Sequence, residues 1–163
     1  MQQTDSPPQL PNVARPGSAL RPRIGSILLV DDYDDARACV REALEAEGHR
    51  VIEAVNGQQA LNFLVSGSDE RVALIILDLQ MPVMDGWHFM ELLRCYVGLS
   101  NIPVLVATGA PDPHLQKVAH KGIVGCIQAP YELEALVDRV NSVLYLDDTQ
   151  TGANEGGRRS SGG

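Results

Sequence analysis

The chain has 163 residues, a formal net charge of −8 and three dispersed cysteines, Cys39, Cys95 and Cys126. That length suits one compact domain, and an acidic balance without a basic stripe argues against nucleic acid as a partner. No stretch approaches the roughly 18 apolar residues of a membrane span, the N-terminus carries no signal-type apolar run, and cysteines without C-x-x-C spacing fit reduced thiols, so a cytoplasmic protein with no membrane partner is expected.

In chain order, residues 1–24 are rich in Pro, Gln and Ser without an apolar period, and residues 147–163 nearly lack hydrophobic side chains. Neither tail can bury enough apolar surface to offset chain entropy, so both are expected to be disordered, leaving residues 25–146 as the folded domain. Ser26 to Val30 is an apolar run that ends abruptly in Asp31 and Asp32, and it reads as a strand buried on both faces. Asp34 and Asp35 open a helix, where carboxylates oppose the positive end of the dipole. Ala36, Val40, Ala43 and Leu44 keep helical spacing and Gly48 is a stop. Val51 to Ala54 reads as a second strand, Asn56-Gly57 as a turn, and Ala60, Leu61, Leu64 and Val65 as a helix ending near Gly67. Val72 to Leu77 is the strongest strand signal, and it too ends in an acid, Asp78. After an Asp85-Gly86 turn, Phe89, Leu92 and Leu93 mark a third helix. Val104 to Ala107 forms a fourth strand ending at Thr108. Leu115, Val118 and Ala119 sketch a weakly patterned fourth helix closed by Gly122. Ile123 to Gln128 is a fifth strand, and Leu133, Leu136, Val137, Val140 and Leu144 form the last and clearest helix.

Strand and helix alternate five times. Such alternation with apolar strands predicts an α/β, doubly wound, five-stranded parallel sheet with helices on both faces. Ligands and chemistry collect at the carboxyl ends of such strands. There Asp31, Asp32, Asp78 and Thr108 converge. Three close carboxylates cannot all stay ionised without a counter-charge, so one is protonated or a cation sits among them. Hard oxygen donors suit Mg²⁺, which keeps open positions for phosphate oxygens. A carboxylate beside it can attack phosphorus and become an acyl phosphate. Trp87 and His88 read as surface or partial core. His49, His114 and His120 show no metal spacing, and the cysteines read as small packing residues.

The segments ILLVDDYDDAR, ALIILDLQMPVMDGW, PVLVATGA and APYELEAL resemble the receiver domain of bacterial response regulators, over roughly residues 25–145. The run from Asp78 through Met81-Pro82 to Met84-Asp85-Gly86 is the most specific. The resemblance implies a flavodoxin-like sheet of strand order 2-1-3-4-5. It implies a stand-alone signalling domain of a two-component phosphorelay, with no enzymatic activity beyond its own phosphorylation and dephosphorylation. Asp78 would accept the phosphoryl group from a sensor histidine kinase or phosphotransfer protein. Asp32 and Asp78 would bind Mg²⁺ directly, Asp31 through water, and the backbone carbonyl of Gln80 would be a further ligand. Thr108 would hydrogen-bond the phosphoryl group. An output protein would meet the face made by the fourth helix, fifth strand and last helix, and a homodimer is allowed.

Two positions depart from the family. Its fifth strand ends in Lys-Pro, whereas this chain has Ala129-Pro130. Ala cannot replace an ammonium that reaches the phosphoryl group. Neither Lys117 nor Lys121 substitutes, because Lys121 precedes the fifth strand and so lies at the opposite edge of the sheet. Gln128 is one position off and, by strand alternation, points elsewhere. A cis bond before Pro130 is still expected from the family. The second departure is Cys126, where receivers commonly carry a switch aromatic. Tyr131 keeps the aromatic character of its own position. The chemistry side is thus intact and the read-out side altered, which raises the alternative of a pseudo-receiver that binds partners without phosphate. A flavin site is disfavoured because Asp31 to Asp35 offers acids where a phosphate would bind, and a dehalogenase-like enzyme would want an Asp at Gln80.

Overall fold

The computed structural model describes residues 24–109 and 122–145. Most of both expected tails, the fourth helix around Leu115, Val118 and Ala119, His114, His120, Lys117 and Lys121 lie outside the described residues.

Five strands form one parallel sheet: β1 (Ser26–Val30), β2 (Val51–Ala54), β3 (Val72–Leu77), β4 (Val104–Thr108) and β5 (Ile123–Gln128). Their order is β2-β1-β3-β4-β5. Every residue of β1, β3 and β4 is buried, because helices cover both faces of these central strands. The edge strands differ: β2 and β5 are only partly buried.

Strand alternation sorts the apolar residues into two cores. Leu28, Val30, Ile75, Leu77, Val104 and Val106 face one side, with Ala60 and Leu61 from α2 (Gly57–Val65) and Phe89, Met90 and Leu93 from α3 (Gly86–Cys95). Ile27, Leu29, Leu74, Ile76 and Leu105 face the other, with Val40 and Leu44 from α1 (Asp34–Ala46) and Leu136, Val140, Val143 and Leu144 from the last helix (Leu133–Leu144). Each fully buried Leu, Ile or Phe contributes roughly 1.5–3 kcal/mol of transfer free energy.

Helix entries explain several local differences from the sequence reading. Asn56-Gly57 is not a free turn: Asn56 caps α2, its Oδ1 accepting from the Gln59 amide at 2.9 Å, and Gly57 is the first helical residue. Asp85 likewise caps α3 through the His88 amide at 2.8 Å. Gly86 follows because a Cβ there would run into the Asp78 carbonyl oxygen and stand 2.8 Å from the Leu79 Cα. In the last helix Leu133 is exposed and Val143, which the apolar spacing passed over, is buried. The three cysteines are not packing residues: Cys39, Cys95 and Cys126 are all exposed. Cys126 lies on edge strand β5, which is only partly covered.

One backbone position is strained. Val83 has φ of 71° and is 83% exposed, and the Met84 amide donates to the Pro82 carbonyl at 2.8 Å, closing a γ-turn around it. A β-branched residue resists this left-handed conformation. Val83→Asn is therefore expected to raise stability by about 1 kcal/mol, read as a higher urea midpoint at unchanged slope.

Candidate functional site

The site begins with two ladder hydrogen bonds. The Asp31 amide donates to the Ala54 carbonyl at 3.1 Å, and the Asp78 amide to the Val30 carbonyl at 2.9 Å. Since Val30 pairs with Leu77, the next residues on these neighbouring strands are the two acids. Asp32 follows on the loop into α1. One carboxylate oxygen from each of Asp31, Asp32 and Asp78 lies within 4.8 Å of the others. Asp31 and Asp78 are half-buried and Asp32 is exposed.

Backbone groups orient these carboxylates. The Tyr33 amide donates to Asp31 Oδ1 at 2.7 Å, and the Gln80 amide to Asp78 Oδ1 at 3.3 Å. Thr108, only 2% exposed at the end of β4, donates its hydroxyl to the Asp78 carboxylate. The Ala129 amide donates to the Thr108 carbonyl at 2.9 Å, which holds the end of β5 beside the site. The Ala129–Pro130 bond is cis. Gln128 pairs with Thr108 but is exposed.

Burial pushes the Asp78 carboxyl above its usual range. The Gln80 and Leu79 amides and the Thr108 hydroxyl oppose that shift, and the charge of Asp32 adds to it. Asp31 is also raised, first by burial and further by Asp78 and Asp32, against the Tyr33 amide and Arg37. The same field reaches Tyr131, whose hydroxyl is pushed up by burial and then by Asp31 and Asp78. The sequence reading missed this proximity, since an aromatic after a proline carries no signal of which way it faces. An all-oxygen donor set whose charges raise one another's proton affinity has the chemistry of a site that a hard divalent cation neutralises.

The acids line a cleft of about 430 Å³ whose other walls include Ala36, Ala107, Ala129, Pro130 and Tyr131. Ala129 thus borders the cleft where the family's lysine would extend. A larger cleft, about 600 Å³, opens at the opposite edge of the sheet near Phe63, Arg71 and Ile102. Its acid, Glu70, is already paired with Arg50 at 3.0 Å, so the smaller cleft is the chemical one.

Residues 27–141 match the family model of the response regulator receiver domain. The chain is 30% identical over 126 residues to the sensor histidine kinase CheAY of Helicobacter pylori, which covers 77% of this chain but 16% of that protein. It is 28% identical over 120 residues to sporulation initiation phosphotransferase F of Bacillus subtilis, covering 74% of this chain and 94% of that one. The chemotaxis protein CheY4 of Vibrio cholerae is similar in structure, with a TM-score of 0.66, 30% identity, and coverage of 74% of this chain and 99% of that chain.

The raised Asp31 and Asp78 carboxyls fix the sign of a pH effect. Between the unfolded and folded values the native state holds more protons, so the pair's contribution to stability falls as pH rises through the folded values. The ionised pair is held half-buried and close together in the metal-free fold, which opposes its charge. Asp78→Asn should therefore raise the melting temperature of the metal-free protein at pH 7 by ~2–4 °C, with the gain shrinking toward pH 4. Calorimetry in chelator checks it, and an unchanged or lower melting temperature at pH 7 contradicts it.

Proposed function

The chain belongs to the response regulator receiver family, and on that premise we propose that Asp78 is the aspartate that takes the phosphoryl group. The single observation supporting this is the meeting of Asp31, Asp32 and Asp78 within 4.8 Å, with the Thr108 hydroxyl bonded to Asp78. An Asp78 carboxylate oxygen attacks phosphorus as the donor's leaving group departs, giving an acyl phosphate. The Thr108 hydroxyl transfers its hydrogen bond from the carboxylate to a phosphoryl oxygen. Asp32, Asp78 and the Gln80 carbonyl would hold Mg²⁺, with Asp31 acting through water. Bound there, the cation would offset the charge of the carboxylates and of the phosphoryl oxygens.

The donor is the phosphohistidine of a sensor histidine kinase or phosphotransfer protein, or a small acyl phosphate. The phosphoryl group is then lost by autodephosphorylation. Output runs through protein contacts on the face that includes β5 and the last helix, in the cytoplasm, with a homodimer as one form. Among the described residues no helix is long and apolar enough to cross a membrane.

Acceptance and switching are separate properties here. Ala129 brings no cation to the cleft, and Cys126 stands exposed where the family's switch aromatic packs. A module working wholly without phosphate would have no use for three mutually repelling acids, and this favours the phosphoacceptor over the pseudo-receiver.

Incubation with acetyl phosphate and Mg²⁺ is expected to add one phosphoryl group by mass spectrometry, lost with chelator and in Asp78→Asn. No label under conditions that modify an ordinary receiver would sink the assignment. Ala129→Lys should raise affinity for beryllofluoride, a phosphoryl mimic, about tenfold or more, since a charge-assisted hydrogen bond is worth about 1.5–3 kcal/mol. Isothermal titration calorimetry in the presence of Mg²⁺ reads it.

A further inference from the structure

Arg37 has so far entered only as a nearby charge opposing the rise of the Asp31 carboxyl, yet its guanidinium makes three hydrogen bonds from three different nitrogens. Nη1 donates to the Asp31 carbonyl at 2.8 Å, Nη2 to Asp34 Oδ1 at 2.6 Å, and Nε to Glu53 Oε1 at 3.1 Å. Its own amide donates to the Tyr33 carbonyl at 2.9 Å. The side chain is 11% exposed although both carboxylate partners are far more open. Burial works against its charge, but the bonds to Asp34 and Glu53 outweigh that and hold it protonated.

These bonds tie together three pieces of chain. Glu53 stands on β2, fixed in register by its pairing with Leu29 of β1. Asp34 begins α1, and the Asp31 carbonyl lies at the start of the loop between β1 and α1. That loop carries two of the three clustered acids. Asp31 is thereby held at both ends, by Arg37 at its carbonyl and by the Tyr33 amide at one carboxylate oxygen. The Asp31 and Asp32 carboxylates each bring one oxygen to the cluster.

We propose that Arg37 is a positioning residue for the acid site: one guanidinium braces the loop of Asp31 to Asp34 against β2, so that Asp31 and Asp32 present their carboxylates to a divalent cation. This rests on the Mg²⁺ reading above. The planar fork matters as much as the charge, because three acceptors in three directions need three fixed donors.

The direction of one effect separates bracing from electrostatics. Removing a positive charge near a cation site tightens cation binding if charge alone matters, whereas removing a brace weakens it. Mg²⁺ titration of the full chain by calorimetry should show Arg37→Ala weakened about tenfold, the lower end of what outer-shell partners of metal ligands cost. Arg37→Lys, which keeps the charge, should remain weakened, and it carries the test if Arg37→Ala does not fold. Thermal melts by circular dichroism establish which variants are folded. Affinity that is unchanged or tighter in Arg37→Ala, or fully restored in Arg37→Lys, overturns the proposal. If the wild type itself binds no Mg²⁺, the metal reading fails, and hydrogen exchange then decides on Arg37. Faster exchange of the Tyr33 amide in Arg37→Ala supports the brace, and unchanged protection refutes it.

Discussion

Everything at the functional edge depends on the parallel register of β1 and β3. Val30 pairs with Leu77, so the first polar residue after each buried strand emerges at the same level, and both are aspartates. Ladder bonds from the Asp31 and Asp78 amides continue the sheet by one residue and fix where these carboxylates sit. A sheet pinned by two apolar cores cannot slide to relieve their repulsion, since a shift of one residue would turn each core face to the wrong side. The fold therefore fixes both carboxyls half-buried and close to a third, and burial first, with neighbouring charge added, makes each hold its proton more tightly than a free aspartate.

The site is built asymmetrically. From β1, β3 and β4 and the loops that follow them, amides of Tyr33, Leu79 and Gln80, the Thr108 hydroxyl and the Arg37 brace all act on the acids. On the β5 side the backbone is equally well placed, with the Ala129 amide bonded to the Thr108 carbonyl, but the side chain that would carry charge into the cleft is a methyl group. The acids are thus served by polar partners from one side of the cleft, while the β5 side brings no charged side chain to it.

Much of this was legible in the sequence. Five apolar runs gave the strands, three of them ending in an acid or Thr108, and their parallel arrangement followed from the intervening helices. Long-range side-chain roles were less so. Arg37 lies within a segment that read as a helix start, and nothing in its neighbours announces Glu53, sixteen positions on, as a partner. Cysteines are usually buried, which made an interior reading natural, but Cys39 stands on an exposed position of α1, Cys95 ends α3 and Cys126 lies on edge strand β5. Leu133 fitted the apolar spacing of the last helix and is still exposed, at the rim of the acid cleft, while Val143 near the other end is buried. Gly57 carries the usual mark of a turn, and only the Asn56 cap reveals that the helix starts there.

The close approach of Gly86 to Asp78 also bears on where the backbone strain of this chain falls. The Gly86 amide donates to the Leu79 carbonyl at 3.1 Å, so the chain from 79 to 86 closes on itself at its base. Met81 and Met84 anchor the inside of this small loop in the core, and Pro82 and Val83 form its exposed tip. Pinched in this way, the loop holds its exposed tip apart from Asp78, so the positive φ at Val83 falls on residues that face solvent and not on the backbone beside the acid.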